Sequence, residues 1–137
     1  MQETRPKRTY DLEALEELIV SLQEASDQGA AIIVEGRRDE QSLRAMGLKG
    51  PVIMASRRPA LDLAEEVARS YKEIIMLTDW DNKGDEMAKN IDRLLCSVGA
   101  RADLETRNRL KKLVKKEIKD VESLHPYVER MRELYGD

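Results

Sequence analysis

The sequence predicts an α/β fold built on a parallel sheet of about four strands with helices on both faces. Three observations carry this. Short apolar runs at Ala30–Val34, Pro51–Met54 and Ile74–Thr78 lack the alternation of a half-exposed strand, so each reads as a strand covered on both sides. The stretches between them repeat apolar residues at helical spacing. Strands alternating with helices of this length imply βαβ units, with right-handed crossovers.

The elements follow in order. Leu12, Leu15, Leu18, Ile19 and Leu22 predict an N-terminal helix over about 11–28, stopped at Gly29. The first strand covers 30–35. A helix over 39–46 has Asp39 as a candidate N-cap and Gly47 as its stop. Pro51–Met54 is the second strand. Residues 59–71 form a helix with Pro59 near its first turn. Residues 73–78 are the third strand. The stripe Met87, Ala88, Ile91, Leu94, Leu95 and Val98 predicts a helix over 85–98, ended by Gly99. Arg101–Glu105 is a candidate fourth strand. Thr106 is a candidate cap for the next helix, and Pro126 marks the start of a last one.

At 137 residues the chain is expected to form one domain over 1–137. Its α/β core would span about 30–104, followed by a basic helical extension over about 106–137. A charged content of 37% beside 41% hydrophobic residues excludes a disordered chain and fits a charged globular protein. One cysteine, Cys96, excludes a disulfide framework and a multi-cysteine zinc site, and reads as a packing residue. No apolar run approaches the roughly 20 residues that span a bilayer. The basic stretch Met1–Arg8 has no apolar region after it, so no signal peptide or membrane partner is expected and the location reads as cytoplasmic.

Charge is unevenly spread. Residues 107–119 carry +6 in a chain of net charge −3, so the remainder carries −9. Such separation marks an anion-facing surface when it is not simply a solvated helix face.

Three carboxylates hold most of the functional information. Glu35 follows the first strand, and Asp79 and Asp81 follow the third. Ligands of open parallel sheets bind beyond the carboxyl ends of the strands. If the first and third strands are neighbours, Glu35 and Asp79 stand about one inter-strand spacing, roughly 5 Å, apart. Acids so close share a proton or a cation. Asp79 and Asp81, two apart in an extended segment, would point to one side and Trp80 to the other. An all-oxygen set suits Mg²⁺ or Mn²⁺. The same edge should hold Arg37, Arg38, Arg57, Arg58 and Lys83, with Arg107 and Arg109 beyond. Guanidinium groups match phosphate with a two-pronged fork. Lys111, Lys112 and Lys115 extend the basic surface. Each feature has a plainer reading: Glu35-Gly36 as a strand exit, the aspartates as turn and cap residues, Trp80 as core.

Glu35-Gly36-Arg37-Arg38-Asp39 and Asp79-Trp80-Asp81-Asn82-Lys83-Gly84, in this order, resemble the two motifs of the Toprim domain over about Ala30 to Leu104. The resemblance implies a Rossmann-like sheet with the first strand beside the third. It implies Glu35 as general acid or base or as metal ligand, and Asp79 and Asp81 as Mg²⁺ ligands, with Asp120 or Glu122 as a candidate further acid. Arg37 stands where a lysine is usual. The chain is similar to small prokaryotic Toprim proteins that resemble primases and a ribosomal-RNA maturation nuclease. Mg²⁺-dependent phosphodiester chemistry on RNA or DNA is therefore expected, by nuclease or nucleotidyl transfer. The alternative is a non-catalytic nucleic-acid-binding module acting with other processing proteins in a larger complex. A receiver fold fits less well, because Glu35-Gly36 and a short fourth strand do not match it, and so does a phosphatase fold, because Asn82-Lys83 does not supply the Thr or Val such a site needs just after its aspartates.

Overall fold

The computed structural model describes residues 7–136, apart from the side chains of residues 7–10. The basic tail expected over residues 1–9 therefore lies largely outside the described residues, and its last three residues belong to the first helix. Along the chain come α1 (Lys7–Asp27), β1 (Ala31–Val34), α2 (Arg37–Ala45), β2 (Val52–Met54), a single 3-10 turn (Ala55–Arg57), α3 (Ala60–Ser70), β3 (Ile74–Met76), α4 (Asn82–Ser97), α5 (Glu105–Val114) and α6 (Leu124–Tyr135). No helix among the described residues is long and apolar enough to cross a membrane.

The sheet is parallel, in the order β2-β1-β3. Ile32 pairs with Val52 on one side and with Ile75 on the other. β1 is thus central and neighbours β3, which is the adjacency that joins the two strand ends. Sequence reading expected about four strands; there are three. The 101–105 segment makes one bridge, Asp103 with Ile75. Its backbone exchanges hydrogen bonds with Ile74 and Met76 at 2.7 and 2.9 Å. The pairing stops there because the Asp103 carboxylate accepts the Glu105 amide at 2.7 Å and turns the chain into α5. This bond, not Thr106, organises the start of α5.

Both sheet faces are covered, as the uninterrupted apolar strands require. Ile32, Val34, Ile75 and Leu77 face a cluster formed with α1, α2, α5 and α6, containing Leu15, Leu43, Leu110 and Val128. Ala31, Ile33, Ile74 and Met76 face α3 and α4 through Leu63, Val67, Ile91 and Leu95. Trp80 joins the first cluster and is 4% exposed, so it packs. Cys96 is exposed, against the packing role expected of it.

Helix starts differ from the sequence reading where side chains cap them. α2 begins at Arg37, two residues early, because Asp39 is the third helical residue, not the cap. Its carboxylate accepts the Gly36 amide at 3.0 Å. α4 begins at Asn82, three residues early, because Asp81 is its N-cap and accepts the Gly84 amide at 2.7 Å. α6 begins at Leu124, which places Pro126 inside its first turn. Gly99, just past the Val98 C-cap of α4, turns the chain with a φ of +86° that suits only glycine readily.

Candidate metal and phosphate site

Glu35 leaves β1 and Asp79 leaves β3 at the carboxyl edge of the sheet. The Asp79 amide donates to Glu35 Oε2 at 3.0 Å, so the two motifs touch. Asp79 Oδ1 in turn accepts the Val121 amide at 3.0 Å, which brings in the segment after α5. A shallow pocket of about 350 Å³ results, lined by Glu35, Gly36, Arg37, Arg38, Asp39, Ser56, Asp79, Asp120 and Glu122. Asp120 Oδ1 accepts the Ser123 amide at 2.8 Å. Glu35, Asp39, Asp79 and Asp120 thus each have one oxygen held by a backbone N–H.

Burial and neighbouring negative charge raise the proton affinity of Asp79 and Asp39. Burial, and then the nearby charges of Asp39, Glu35 and Asp120, push the Asp79 carboxyl up to about 7, although the Val121 amide opposes this. Asp39 is shifted up as well, chiefly by burial, with Glu35 and Asp120 adding to it. Protonation relieves this repulsion, as would a bound cation.

Close packing fixes the loop after β3. Arg107, 5% exposed, donates from Nε to the Thr78 carbonyl at 2.8 Å and from Nη2 to the Asp79 carbonyl and to Asp85 Oδ1. Thr78 Oγ1 donates to the Gly84 carbonyl at 2.8 Å. A Cβ on Gly84 would stand 1.8 Å from the Asp79 carbonyl oxygen and 3.0 Å from Glu35 Oε2. The motif glycine is there because the backbone of α4 approaches this closely. Gly36, by contrast, has room for a side chain, with Ser56 Oγ at 3.8 Å.

The structure divides the residues singled out by sequence. Glu35, Asp79, Arg37 and Arg38 come together. Asp120 and Glu122 both join them, and so do Asp39 and Ser56, which sequence reading did not assign to the site. The spacing of Glu35-Gly36-Arg37-Arg38-Asp39, a carboxylate three residues past the glycine that precedes a helix, was a signal for Asp39. Asp81 turns away. Its carboxylate caps α4, and it lines a second pocket with Trp80, Asn82, Asp85, Lys111, Lys115, Lys116 and Lys119. Lys111 pairs there with Asp85 at 3.2 Å. Arg57 is exposed on the 3-10 turn beside Ser56, while Arg58 pairs with Glu66 of α3. Lys83 lies between α3 and α4. Lys112 and Arg109 line a groove against α1, and Arg109 pairs with Glu105 at 3.1 Å. Arg107, read as part of the phosphate ring, is spent inside the fold.

Among the described residues no group of three or more Asp, Glu, His or Cys side chains is arranged to hold a metal ion. The donors present still suit one kind of site. Mg²⁺ typically keeps several waters and takes one or two carboxylates plus substrate phosphate, instead of a full protein cage. Glu35 and Asp79 are two such carboxylates, touching and all-oxygen.

A three-stranded parallel α/β domain with its acids at the carboxyl edge of β1 and β3 is the class that fold and site define. The Toprim domain model matches residues 30–122, and the chain belongs to the Toprim family. Toprim membership points to a metal-dependent, nucleic-acid-related role, and these domains typically bind Mg²⁺. Among small Toprim proteins it is 44% identical over 121 residues to a UPF0292 protein of Methanosarcina barkeri, covering 88% of this chain and 85% of that one. A UPF0292 protein of Thermococcus onnurineus is 46% identical over 110 residues, 80% of each chain. A solved structure titled a putative protein from Aquifex aeolicus superposes with TM-score 0.69 at 31% identity, over 80% of this chain and 96% of that one.

Three outcomes are expected. Gly84→Ala should lower stability by about 2 kcal/mol or more in urea unfolding, because backbone must move to admit the methyl group. Arg107→Met should cost about 3 kcal/mol or more, since it leaves buried carbonyls unpaired and Asp85 without its main partner. The third concerns pH. A carboxyl whose pKa is about 7 when folded and 3.8 when free stabilises the fold fully below about pH 4, and that contribution is lost as pH rises through 7. The metal-free protein should therefore show a falling urea midpoint from pH 5 to pH 8. Asp79→Asn, which keeps an acceptor for the Val121 amide, should flatten that fall. Because the site is half exposed, the effect should be on the order of 1–2 kcal/mol.

Proposed function

We propose that this protein carries out Mg²⁺-dependent phosphodiester chemistry on RNA or DNA, as a nuclease or a nucleotidyl-transfer module. The observation that supports it most is the contact between Glu35 and Asp79 at the carboxyl edge of the sheet, with Arg37 and Arg38 on the same pocket. In this reading Glu35 and Asp79 hold the ion, and Asp120 or Asp39 completes its water shell. The ion, when bound, neutralises phosphate charge and polarises the scissile linkage.

The chain's own groups do the rest. Arg37 and Arg38, exposed at the start of α2, bind the non-bridging phosphate oxygens, helped by the positive end of that helix. The Asp79 amide holds Glu35 through Oε2, and the other carboxylate oxygen is the atom that takes or gives a proton. Ser56 offers a hydroxyl to a phosphate or water on the β2 side. The raised proton affinity of Asp79 implies that ion binding expels a proton near neutral pH.

One observation favours a second reading, a module that binds nucleic acid without cleaving it: the lysines gather beside Asp81, apart from the Glu35–Asp79 acids. The two readings part in one experiment. Purified protein with Mg²⁺ or Mn²⁺ should cut or extend members of a panel of single- and double-stranded RNAs and DNAs. Glu35→Gln and Asp79→Asn should each lower the rate by about 100-fold or more. An intact panel at millimolar metal, with strand binding retained, would leave the binding module and remove the enzyme.

A further inference from the structure

The second pocket holds a surplus of positive charge that the Glu35–Asp79 site does not use. It is a groove of about 490 Å³ between the start of α4 and the segment that follows α5. Its two acids are both engaged. Asp81 is held by the Gly84 amide, and Asp85 is paired with Arg107 and Lys111, hydrogen bonds that hold its carboxyl below the usual range. Lys115, Lys116 and Lys119 are exposed and have no ion pair among the described residues. Three free ammonium groups converge on one concavity in a protein whose net charge is −3.

Its position relative to the acidic pocket is set by the chain itself. Asp79 lines one pocket and Asp81 the other; Asp120 lines one and Lys119 the other. Two residues of extended chain reach at most about 7 Å. That is on the order of one phosphate-to-phosphate step, since the spacing along the backbone exceeds the roughly 3.4 Å axial rise per nucleotide. The segment 115–122 is pinned in this position. The Trp80 amide donates to the Lys119 carbonyl at 3.1 Å, the Trp80 indole to the Ile118 carbonyl at 2.8 Å, and the Val121 amide to Asp79.

We propose that Lys115, Lys116 and Lys119 form a strand-anchoring subsite, which holds the sugar–phosphate backbone of a nucleic acid about one nucleotide from the linkage placed at Glu35 and Asp79. The proposal rests on the reading of the acidic pocket as the place where the phosphodiester lies. Trp80 is packed into the core and offers no face to a base, so the groove reads backbone charge and not sequence. The pinned segment gives the two pockets a fixed separation, with its basic half on the anchor and its acidic half on the reacting phosphate.

The test is fluorescence-anisotropy titration of labelled 12-nucleotide single strands without divalent metal, over a series of KCl concentrations. Wild-type protein should bind with a steep salt dependence and little preference among mixed sequences. The triple variant Lys115→Ala/Lys116→Ala/Lys119→Ala should lower the magnitude of the slope of log K against log salt by about 2, with tenfold or more weaker binding. Lys112→Ala, on the α1 groove, should leave slope and affinity unchanged. An unchanged slope in a folded triple variant overturns the proposal, as does an equal loss in Lys112→Ala or the absence of any binding by the wild type at low salt. Circular dichroism confirms folding of each variant, and the exposed positions make loss of fold no escape. A protein that binds as described but never cleaves would keep the anchor and refute the catalytic reading alone.

Discussion

The hydrogen bond from the Asp79 amide to the Glu35 carboxylate is the contact on which the site depends. It exists because β1 is central and β3 is its neighbour, so that two segments 44 residues apart end side by side. It also constrains the chain beyond β3. α4 must leave the β3 loop at once and closely, which Gly84 permits, and the buried carbonyls of that loop must be satisfied from elsewhere, which Arg107 does. One carboxylate pair thus accounts for a glycine in the second motif and for a buried arginine far along the chain.

The electrostatics divide the same way. Acids from β1, α2, β3 and the segment after α5 gather on one side of the Asp79–Asp81 stretch, and lysines gather on the other. Burial and mutual repulsion keep Asp79 partly protonated at neutral pH until a counter-charge arrives. Backbone amides meet one oxygen of each neighbouring acid and lessen the cost of keeping them together. A phosphate-bearing strand would find positive charge at Arg37 and Arg38, on the acidic pocket itself, and again in the lysine groove.

Much of this was legible in the residues, and the misses have physical causes. Apolar residues on both faces of each strand declared a covered parallel sheet. The order of the two motifs declared the family, and through it the adjacency of the first and third strands, which no spacing rule supplies. The fourth strand failed because Asp103 uses its side chain to turn the backbone after one bridge. Asp81 was expected beside Asp79 on the rule that residues two apart share a side. That rule holds for an extended strand, but α4 starts directly after Asp81 and takes its carboxylate as a cap. Arg107 looked like surface charge within a basic run; only the tertiary fold shows it buried against two carbonyls. Helix starts moved for the same reason: a capping carboxylate can be a cap or a third residue, and the sequence around Asp39 allows both.

The central claim is that Glu35 and Asp79 form one divalent-cation site at the joined ends of β1 and β3. Crystals soaked in millimolar MnCl₂ and measured at a wavelength where manganese scatters anomalously test it most directly. The account predicts an anomalous peak within coordination distance, about 2.2 Å, of oxygens from both Glu35 and Asp79, completed mainly by water. A peak held by Asp81 and Asp85 in place of that pair, or no peak in the acidic pocket at millimolar metal, would contradict it.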